Sequence, residues 1–84
     1  MKKMKIILYT KTDCGLCVKA KQVLNEVQKV YSFHLEEIDI YDNEELLEKY
    51  QMMIPVIEID GEQVGYGIIH RDVIINYINK SVKS

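Results

Sequence analysis

The sequence predicts an α/β fold with a four-stranded mixed sheet and three helices, and three features of the chain indicate it. Short apolar runs bounded by polar residues are typical of strands, and apolar residues spaced by three and four positions are typical of helices. The dipeptide Asp60-Gly61 lies between two apolar runs and is a strong signal for a tight hairpin. The resulting order is βαβαββα, and 84 residues are enough for one small domain, residues 1–84.

The first half of the chain predicts a strand, a helix and a second strand. These are Met4–Tyr9, Val18–Val30 and Phe33–Ile40. Because a helical connection is long enough to cross over between parallel strands, the two strands are expected to be parallel, with a right-handed crossover. The second strand alternates imperfectly between apolar and polar residues, which predicts a one-residue irregularity near Glu36. The predicted apolar face around the helix consists of Leu16, Cys17, Ala20, Val23, Leu24, Val27 and Val30.

The second half predicts a helix, a hairpin and a last helix. Asp42 or Asn43 is predicted to cap the second helix, because short polar side chains accept hydrogen bonds from the first backbone N–H groups. The hairpin strands are predicted over Pro55–Ile59 and Glu62–Tyr66, and the last helix over His70–Asn79. The residues that form the apolar sides of these two helices are Leu46, Leu47, Tyr50, Val73, Ile74, Tyr77 and Ile78.

Charge and hydropathy argue against several classes of function. The formal net charge is −2 and no segment is strongly basic, so the sequence does not favour nucleic-acid binding. The apolar run after Met1-Lys2-Lys3 ends at Tyr9, which is too short for a secretory signal. No segment approaches the length of a membrane span. The sequence therefore predicts a cytoplasmic monomer that binds neither nucleic acid nor membrane.

The motif Cys14-Gly15-Leu16-Cys17 lies between the predicted first strand and first helix, and it contains both cysteines of the chain. The N-terminus of a helix favours negative charge, so a thiol placed there forms its reactive thiolate more easily. A disulfide that closes over two residues constrains the unfolded chain very little, so redox chemistry explains the pair better than stabilisation. Cys14 is predicted to be the nucleophile and Cys17 the thiol that resolves a mixed disulfide.

This element order, the cysteine motif and Ile54-Pro55 before the third strand resemble the thioredoxin fold in its glutaredoxin-sized form. The segments Leu8–Lys11 and Tyr50–Val56 resemble the corresponding glutaredoxin segments. The resemblance implies a thiol–disulfide oxidoreductase that reduces protein or small-molecule disulfides. It also implies that the bond before Pro55 is cis, that this turn faces the cysteines, and that the backbone of Ile54 pairs with the substrate chain.

Two residues just before the motif are candidates for a role at the site. Lys11 either adds positive charge near the thiolate, or holds a carboxylate of glutathione, or is an ordinary solvated lysine. Asp13 is expected to act as the helix cap, because a carboxylate pointing at Cys14 would oppose thiolate formation. Lys11 is retained as a substrate-binding candidate.

The segment after the fourth strand departs from the glutaredoxin pattern. Tyr66 interrupts the Gly-Gly pair of glutathione-using glutaredoxins, and Ile68-Ile69 replaces the polar positions that would meet the glutathione amine. Gly65 and Gly67 still predict a place where a substrate backbone approaches closely. The glutathione site is therefore expected to be incomplete, because a charged tripeptide needs fixed partners for both ends.

No tightly bound cofactor is expected, and the sequence leaves the electron donor open between glutathione and a flavoprotein of the thioredoxin-reductase type. Two other classes of function stay open. One is a non-catalytic interaction module on the thioredoxin fold, because fold alone does not determine function. The other is a thiolate metal-binding protein, although His34 and His70 do not have the spacing of a zinc finger, so no metal ligand is assigned.

Overall fold

The computed structural model describes residues 4–83, and it confirms the predicted α/β fold with three α-helices and a four-stranded mixed sheet. A single turn of 3-10 helix, Ile40–Asp42, joins the second strand to the second helix. The elements in chain order are β1 Lys5–Thr10, α1 Gly15–Val30, β2 His34–Asp39, α2 Glu44–Tyr50, β3 Val56–Ile59, β4 Glu62–Tyr66 and α3 Arg71–Lys83.

The sheet has the strand order β2-β1-β3-β4. β1 is parallel to β2, as predicted, and antiparallel to β3, while β3 and β4 form the predicted antiparallel hairpin. Asp60 and Gly61 at its turn both have positive φ, of 49° and 87°. Tyr9 near the end of β1 lies opposite Val56 at the start of β3. The cysteine motif after β1 and Pro55 before β3 therefore lie at the same end of the sheet.

Alternate residues along the central strands divide the core into two clusters, one on each face of the sheet. Ile6 and Leu8 of β1 pack with α1 and α3, whereas Tyr9 packs on the opposite face with α2. The first cluster contains Ile6, Leu8, Ala20, Leu24, Val27, Phe33, Ile57, Ile59, Ile74 and Ile78. The second contains Tyr9, Ile40, Tyr50 and Val56. The apolar residues of α1 and α2 thus hold both helices against strands that lead into the site.

Two predictions about the strands and caps are changed by the structure. The pairing of β1 with β2 is continuous, so the irregularity expected near Glu36 is wrong. β2 is an outer strand, and solvated positions on it accept polar residues without a bulge. The irregularity lies in the hairpin instead, where the register shifts between Ile57 and Glu58. Of the two candidate caps for α2, Asn43 is the residue whose side chain accepts the N–H groups of residues 45 and 46.

Three apolar residues assigned to helix faces are exposed. Val73, predicted to be buried, is 45% exposed, because the buried stripe of α3 passes through Ile74 and Ile78. Leu16 and Val30, at the two ends of α1, are 42% and 75% exposed. α1 itself begins at Gly15, three residues before the predicted start, so it includes most of the cysteine motif.

A carboxylate joins the two tyrosines of the second cluster. The Tyr9 hydroxyl donates to Glu58 Oε1 at 3.1 Å, and the Tyr50 hydroxyl donates to Glu58 Oε2 at 2.7 Å. The two tyrosine rings are 4.8 Å apart between centroids. Because Tyr50 ends α2, this network fixes the start of the segment that leads to Pro55.

The tyrosine–carboxylate network predicts a loss of stability at high pH. Burial, together with the hydrogen bond to Glu58 and its charge, raises the pKa of both Tyr9 and Tyr50 from 10.0 to about 12. A raised folded-state pKa favours the neutral hydroxyl, so this stabilisation is complete below about pH 10 and is lost as the pH rises towards about 12. We expect the thermal midpoint to fall over this range, and to fall less steeply in the Tyr9→Phe/Tyr50→Phe double variant. Tyr41→Phe, which removes an exposed hydroxyl, is the control and should follow the wild type.

Candidate functional site

Cys14 caps the first helix with its own sulfur. Its backbone is extended, with φ −117° and ψ 106°, and its Sγ accepts the Cys17 N–H at 3.1 Å. The Cys14 carbonyl accepts the Val18 N–H at 3.2 Å, which starts the helical ladder. A thiolate at this position faces a backbone donor and the positive end of the helix dipole, and both favour the charged form.

The two cysteines form a disulfide in this structure, with their Cα atoms 5.2 Å apart. Their exposure differs, because Cys17 is buried at 4% exposed, whereas Cys14 is half-buried at the helix end. An incoming disulfide therefore reaches Cys14 first, and Cys17 lies behind it within bonding reach. The geometry has the asymmetry that a nucleophile and a resolving thiol need.

Asp13 does not cap the helix, which corrects the prediction. It has a φ of +57°, in the left-handed region, whereas a capping residue needs an extended backbone. The cap position falls one residue later, on Cys14. Aspartate tolerates the left-handed region better than most residues, and this turn redirects the chain from β1 so that Cys14 faces the helix.

The left-handed turn at Asp13 gives a prediction on stability. Asp13→Ala is expected to lower the free energy of unfolding by about 1 kcal/mol, because alanine is disfavoured in the left-handed region. Asp13→Gly should keep or raise the stability, and Thr12→Ala, in the same exposed loop, is the control. Urea unfolding of the oxidised proteins measures the effect. Equal losses from the alanine and glycine variants would show that the side chain, and not the backbone turn, is responsible.

A polar cleft of about 610 Å³ lies on the β2 side of the disulfide. Lys11 lines it and is exposed, and its role stays a prediction. Lys21 on α1 also lines it, with its Nζ 3.3 Å from Glu37 Oε1. Asp13 lines the cleft too, so basic and acidic side chains both lie beside Cys14 on this side.

The surface on the other side of the disulfide mixes apolar side chains with the charged side chains of Lys19 and Glu26. A groove of about 350 Å³ runs between α1 and the segment after β4, and Leu16 and Ile68 line it. Ile68 is 67% exposed and belongs to the Ile68-Ile69 stretch, which departs from the glutaredoxin pattern. Asp72, the next acidic residue along the chain, lies exposed in the first turn of α3. Glu26 is the acidic side chain of this groove, and its carboxylate lies 3.2 Å from Arg71 Nη1, so it is already paired.

The Ile54–Pro55 peptide bond is cis, as predicted. Around it, Met53 N–H donates to the Tyr50 carbonyl at 2.8 Å, and the carbonyls of Met53 and Pro55 both accept the Gly67 N–H. Within residues 4–83, the backbone N–H and C=O of Ile54 have no hydrogen-bond partner. Ile54 therefore has an unpaired donor and acceptor, and its pairing with a substrate chain stays a prediction.

The two glycines assigned to substrate binding have different places. Gly65 lies in β4 opposite Ile57, and a Cβ there would touch Ile69 Cδ1 at 3.5 Å. Gly67 follows β4 with a φ of +71°, and its N–H is already used within the chain. Gly67 thus offers no free donor to a substrate, which the sequence did not reveal.

Sequence reasoning also missed the part played by Glu58. A charged residue inside the apolar run of β3 was the available signal, because a half-buried carboxylate needs donors. Its partners are far away in sequence, so the strand pattern did not identify them. Across the described part of the chain, no three His, Cys, Asp or Glu side chains are grouped as metal ligands. None of the helices described in residues 4–83 has the length and apolar character to cross a membrane.

The four-stranded mixed sheet, the Cys-x-x-Cys pair at the start of α1 and the proline that opens β3 define a thioredoxin-like protein. More closely, the chain belongs to the family described as the glutaredoxin-like domain (DUF836), whose sequence model matches residues 5–79.

Solved structures from several organisms share this fold. Protein Ne2328 from Nitrosomonas europaea is similar over 92% of this chain and 93% of its own, with 29% identity and a TM-score of 0.80. A protein from X. campestris is similar over 89% and 96%, with 20% identity and a TM-score of 0.76. A mutant thioredoxin from Halobacterium salinarum is similar over 94% and 74%, with 21% identity and a TM-score of 0.71. The last two likenesses show the fold.

Proposed function

We propose that the protein is a dithiol–disulfide oxidoreductase that reduces disulfides through Cys14 and Cys17. The observation that carries this proposal is the placement of Cys14. It is the accessible member of the pair, it caps α1, and its sulfur accepts the N–H of the residue with which it forms the disulfide. A structural staple has no need of such an arrangement, whereas a reactive thiolate is stabilised by it.

The reaction has two exchange steps. The Cys14 thiolate attacks one sulfur of the target disulfide, forms a bond to it, and releases the other target sulfur as a thiolate that takes up a proton. The Cys17 thiol then loses its proton, attacks Cys14 Sγ, and releases the remaining target sulfur. The target gains two electrons, and Cys14 and Cys17 lose them as their disulfide forms. Two thiol molecules or one reduced flavoprotein must return two electrons for the next cycle.

Cystines in polypeptides are the substrates that the surface favours. A polypeptide supplies a backbone that can pair with the free N–H and C=O of Ile54, and side chains that can cover Leu16 and Ile68. Exposed Lys11 is available to a carboxylate of glutathione. The amine end has no free partner, because Ile68 is apolar and the Glu26 carboxylate of the same groove is paired with Arg71. We therefore place glutathione as a reductant at most, and a thioredoxin-reductase-type flavoprotein as the other donor to test.

We also propose a cytoplasmic setting for this reaction. Both cysteines of the chain are in the site, and none is left for the long-range staples that small secreted domains use.

The test is a redox equilibration of the wild-type protein. The protein is incubated in glutathione buffers of graded ratio, free thiols are alkylated after acid quenching, and the products are weighed by mass spectrometry. We expect interconversion between a two-alkyl form and a disulfide form. Matched samples titrated with a dithiol buffer show whether the pair exchanges with dithiols when glutathione does not reach it.

Three results have different meanings. A midpoint within the glutathione range with an adduct on Cys14 supports the proposal and selects glutathione as a competent donor. A disulfide that resists glutathione but is reduced by the dithiol supports the proposal with a flavoprotein donor. A pair that never forms a disulfide overturns it and favours a thiolate metal site or a non-catalytic module.

A further inference from the structure

The backbone N–H of Gly67 connects two segments that border the cysteine site. It donates to the Pro55 carbonyl at 2.8 Å and to the Met53 carbonyl at 3.1 Å. One group on the segment after β4 therefore holds both ends of the three-residue stretch 53–55. The residue between the two acceptors is Ile54.

Ile54 is the residue whose backbone this arrangement leaves available. Pro55 has no N–H and its carbonyl is occupied, and both backbone groups of Met53 are occupied. The N–H and C=O of Ile54 have no partner within residues 4–83. A half-buried residue with both backbone groups unpaired is uncommon, because such groups are normally satisfied by the protein or by a bound molecule.

We propose that Gly67 is a positioning residue for substrate recognition: its bridging N–H fixes the orientation of the Ile54 backbone, which pairs with the polypeptide around the target disulfide. This inference rests on the proposed function. Gly67 itself does not touch the substrate. It acts by occupying the neighbouring carbonyls, so that only Ile54 presents a donor and an acceptor in a fixed direction.

The identity of residue 67 follows from its backbone. Gly67 has a φ of +71°, which is unfavourable for residues with a Cβ, but a Cβ placed there would meet no atom within 4 Å. Substitution by alanine therefore perturbs the backbone direction without a collision. Asparagine tolerates the left-handed region and should keep the bridge.

Gly61 is a matched control. It also has a positive φ, of +87°, and the space around its missing Cβ is also open. It lies in the β3–β4 turn, where the strands end away from the cysteine site, and it makes no bond to residues 53–55. Gly61→Ala and Gly67→Ala therefore introduce the same kind of backbone strain in two different places.

The experiment measures single-turnover reduction by the pre-reduced protein, so no electron donor is needed. Each variant is mixed with a cystine-containing polypeptide, insulin, or with bis(2-hydroxyethyl) disulfide, which has no peptide backbone. We expect Gly67→Ala to lower the second-order rate constant with insulin by about tenfold, because a misdirected donor and acceptor lose two hydrogen bonds. Its rate constant with the small disulfide should change by less than about twofold. Gly67→Asn should restore the insulin rate, and Gly61→Ala should change neither.

The outcomes separate this inference from the proposed function. Two results would overturn the positioning role alone. In one, Gly67→Ala slows the reduction of both substrates equally. In the other, Gly61→Ala slows the reduction of insulin relative to the small disulfide as much as Gly67→Ala does. A wild-type protein that reduces neither substrate overturns the proposed function and this inference with it. Amide hydrogen exchange gives a second test. It is measured on the wild type alone, so it does not depend on whether a variant folds. The Gly67 amide should exchange more slowly than the Ile54 amide, and the reverse order would contradict the bridge.

Discussion

Cys14→Ser is expected to lower the rate of disulfide reduction by on the order of a thousandfold or more, because the variant has no nucleophile for the first exchange step. A serine hydroxyl at this cap can still accept the Cys17 N–H, so the helix and the stability of the reduced protein should be nearly unchanged. The measurement is single-turnover reduction of insulin, with the reduced wild type as the reference. A Cys14→Ser variant that reduces insulin at a rate close to the wild type would show that Cys14 is not the attacking thiol.

Cys17→Ser should behave differently. Its Cys14 can attack, but no thiol is present to resolve the product, so a mixed disulfide with the substrate should accumulate. Mass spectrometry of the quenched reaction detects this adduct, and a peptide digest places it on Cys14. Val18→Ser is the matched control, because it puts a serine at the next, exposed position of the same helix. Adducts of equal yield in wild type and Cys17→Ser would contradict the resolving role.

Glu58→Ala should cost about 2–4 kcal/mol in the free energy of unfolding, because it leaves two buried tyrosine hydroxyls without their acceptor. This is a large share of the total for a domain of 84 residues, for which about 5–10 kcal/mol is typical. Urea unfolding at neutral pH measures it. Glu36→Ala is the control, since the Glu36 carboxylate is exposed and lies 3.8 Å from Lys5 Nζ. We expect a change below about 1 kcal/mol there.

The cause of the Glu58 effect can be separated from simple loss of side-chain volume. Glu58→Leu combined with Tyr9→Phe and Tyr50→Phe removes the carboxylate and both hydroxyls together, so no polar group is left unpaired. We expect most of the lost stability to return, because apolar replacement of all partners is close to neutral. A triple variant as unstable as Glu58→Ala would mean that the tyrosine hydroxyls do not determine the effect.

Much of this fold could be predicted from the sequence because its signals are local. The apolar spacing of Ala20, Leu24 and Val27 gave α1, the Asp60-Gly61 pair gave the hairpin, and the cysteine motif fell at the start of a helix. These features depend on residues a few positions apart. The resemblance to small redoxins then added the cis bond at Pro55, which local propensity does not specify.

What could not be predicted depends on contacts between distant parts of the chain. Aspartate has a higher intrinsic preference than cysteine for the cap position of a helix. The direction of the chain after β1 nevertheless places Cys14, and not Asp13, at the cap of α1. The hydroxyl of Tyr9 meets a carboxylate 49 positions away, and the Gly67 N–H meets carbonyls in a different segment. A periodic pattern carries no information about either pairing. The alternation pattern predicts an irregularity in β2 because it does not show that β2 is an outer strand, where polar residues are tolerated.

The outer strands of the sheet bear on whether copies of the chain can join edge to edge. β2 carries alternating and adjacent charges, and β4 loses its regular register beside Ile57. Both features make a strand a poor template for another copy of the chain. Concentrated samples should therefore remain free of assemblies in which β2 or β4 pairs with another copy of the chain.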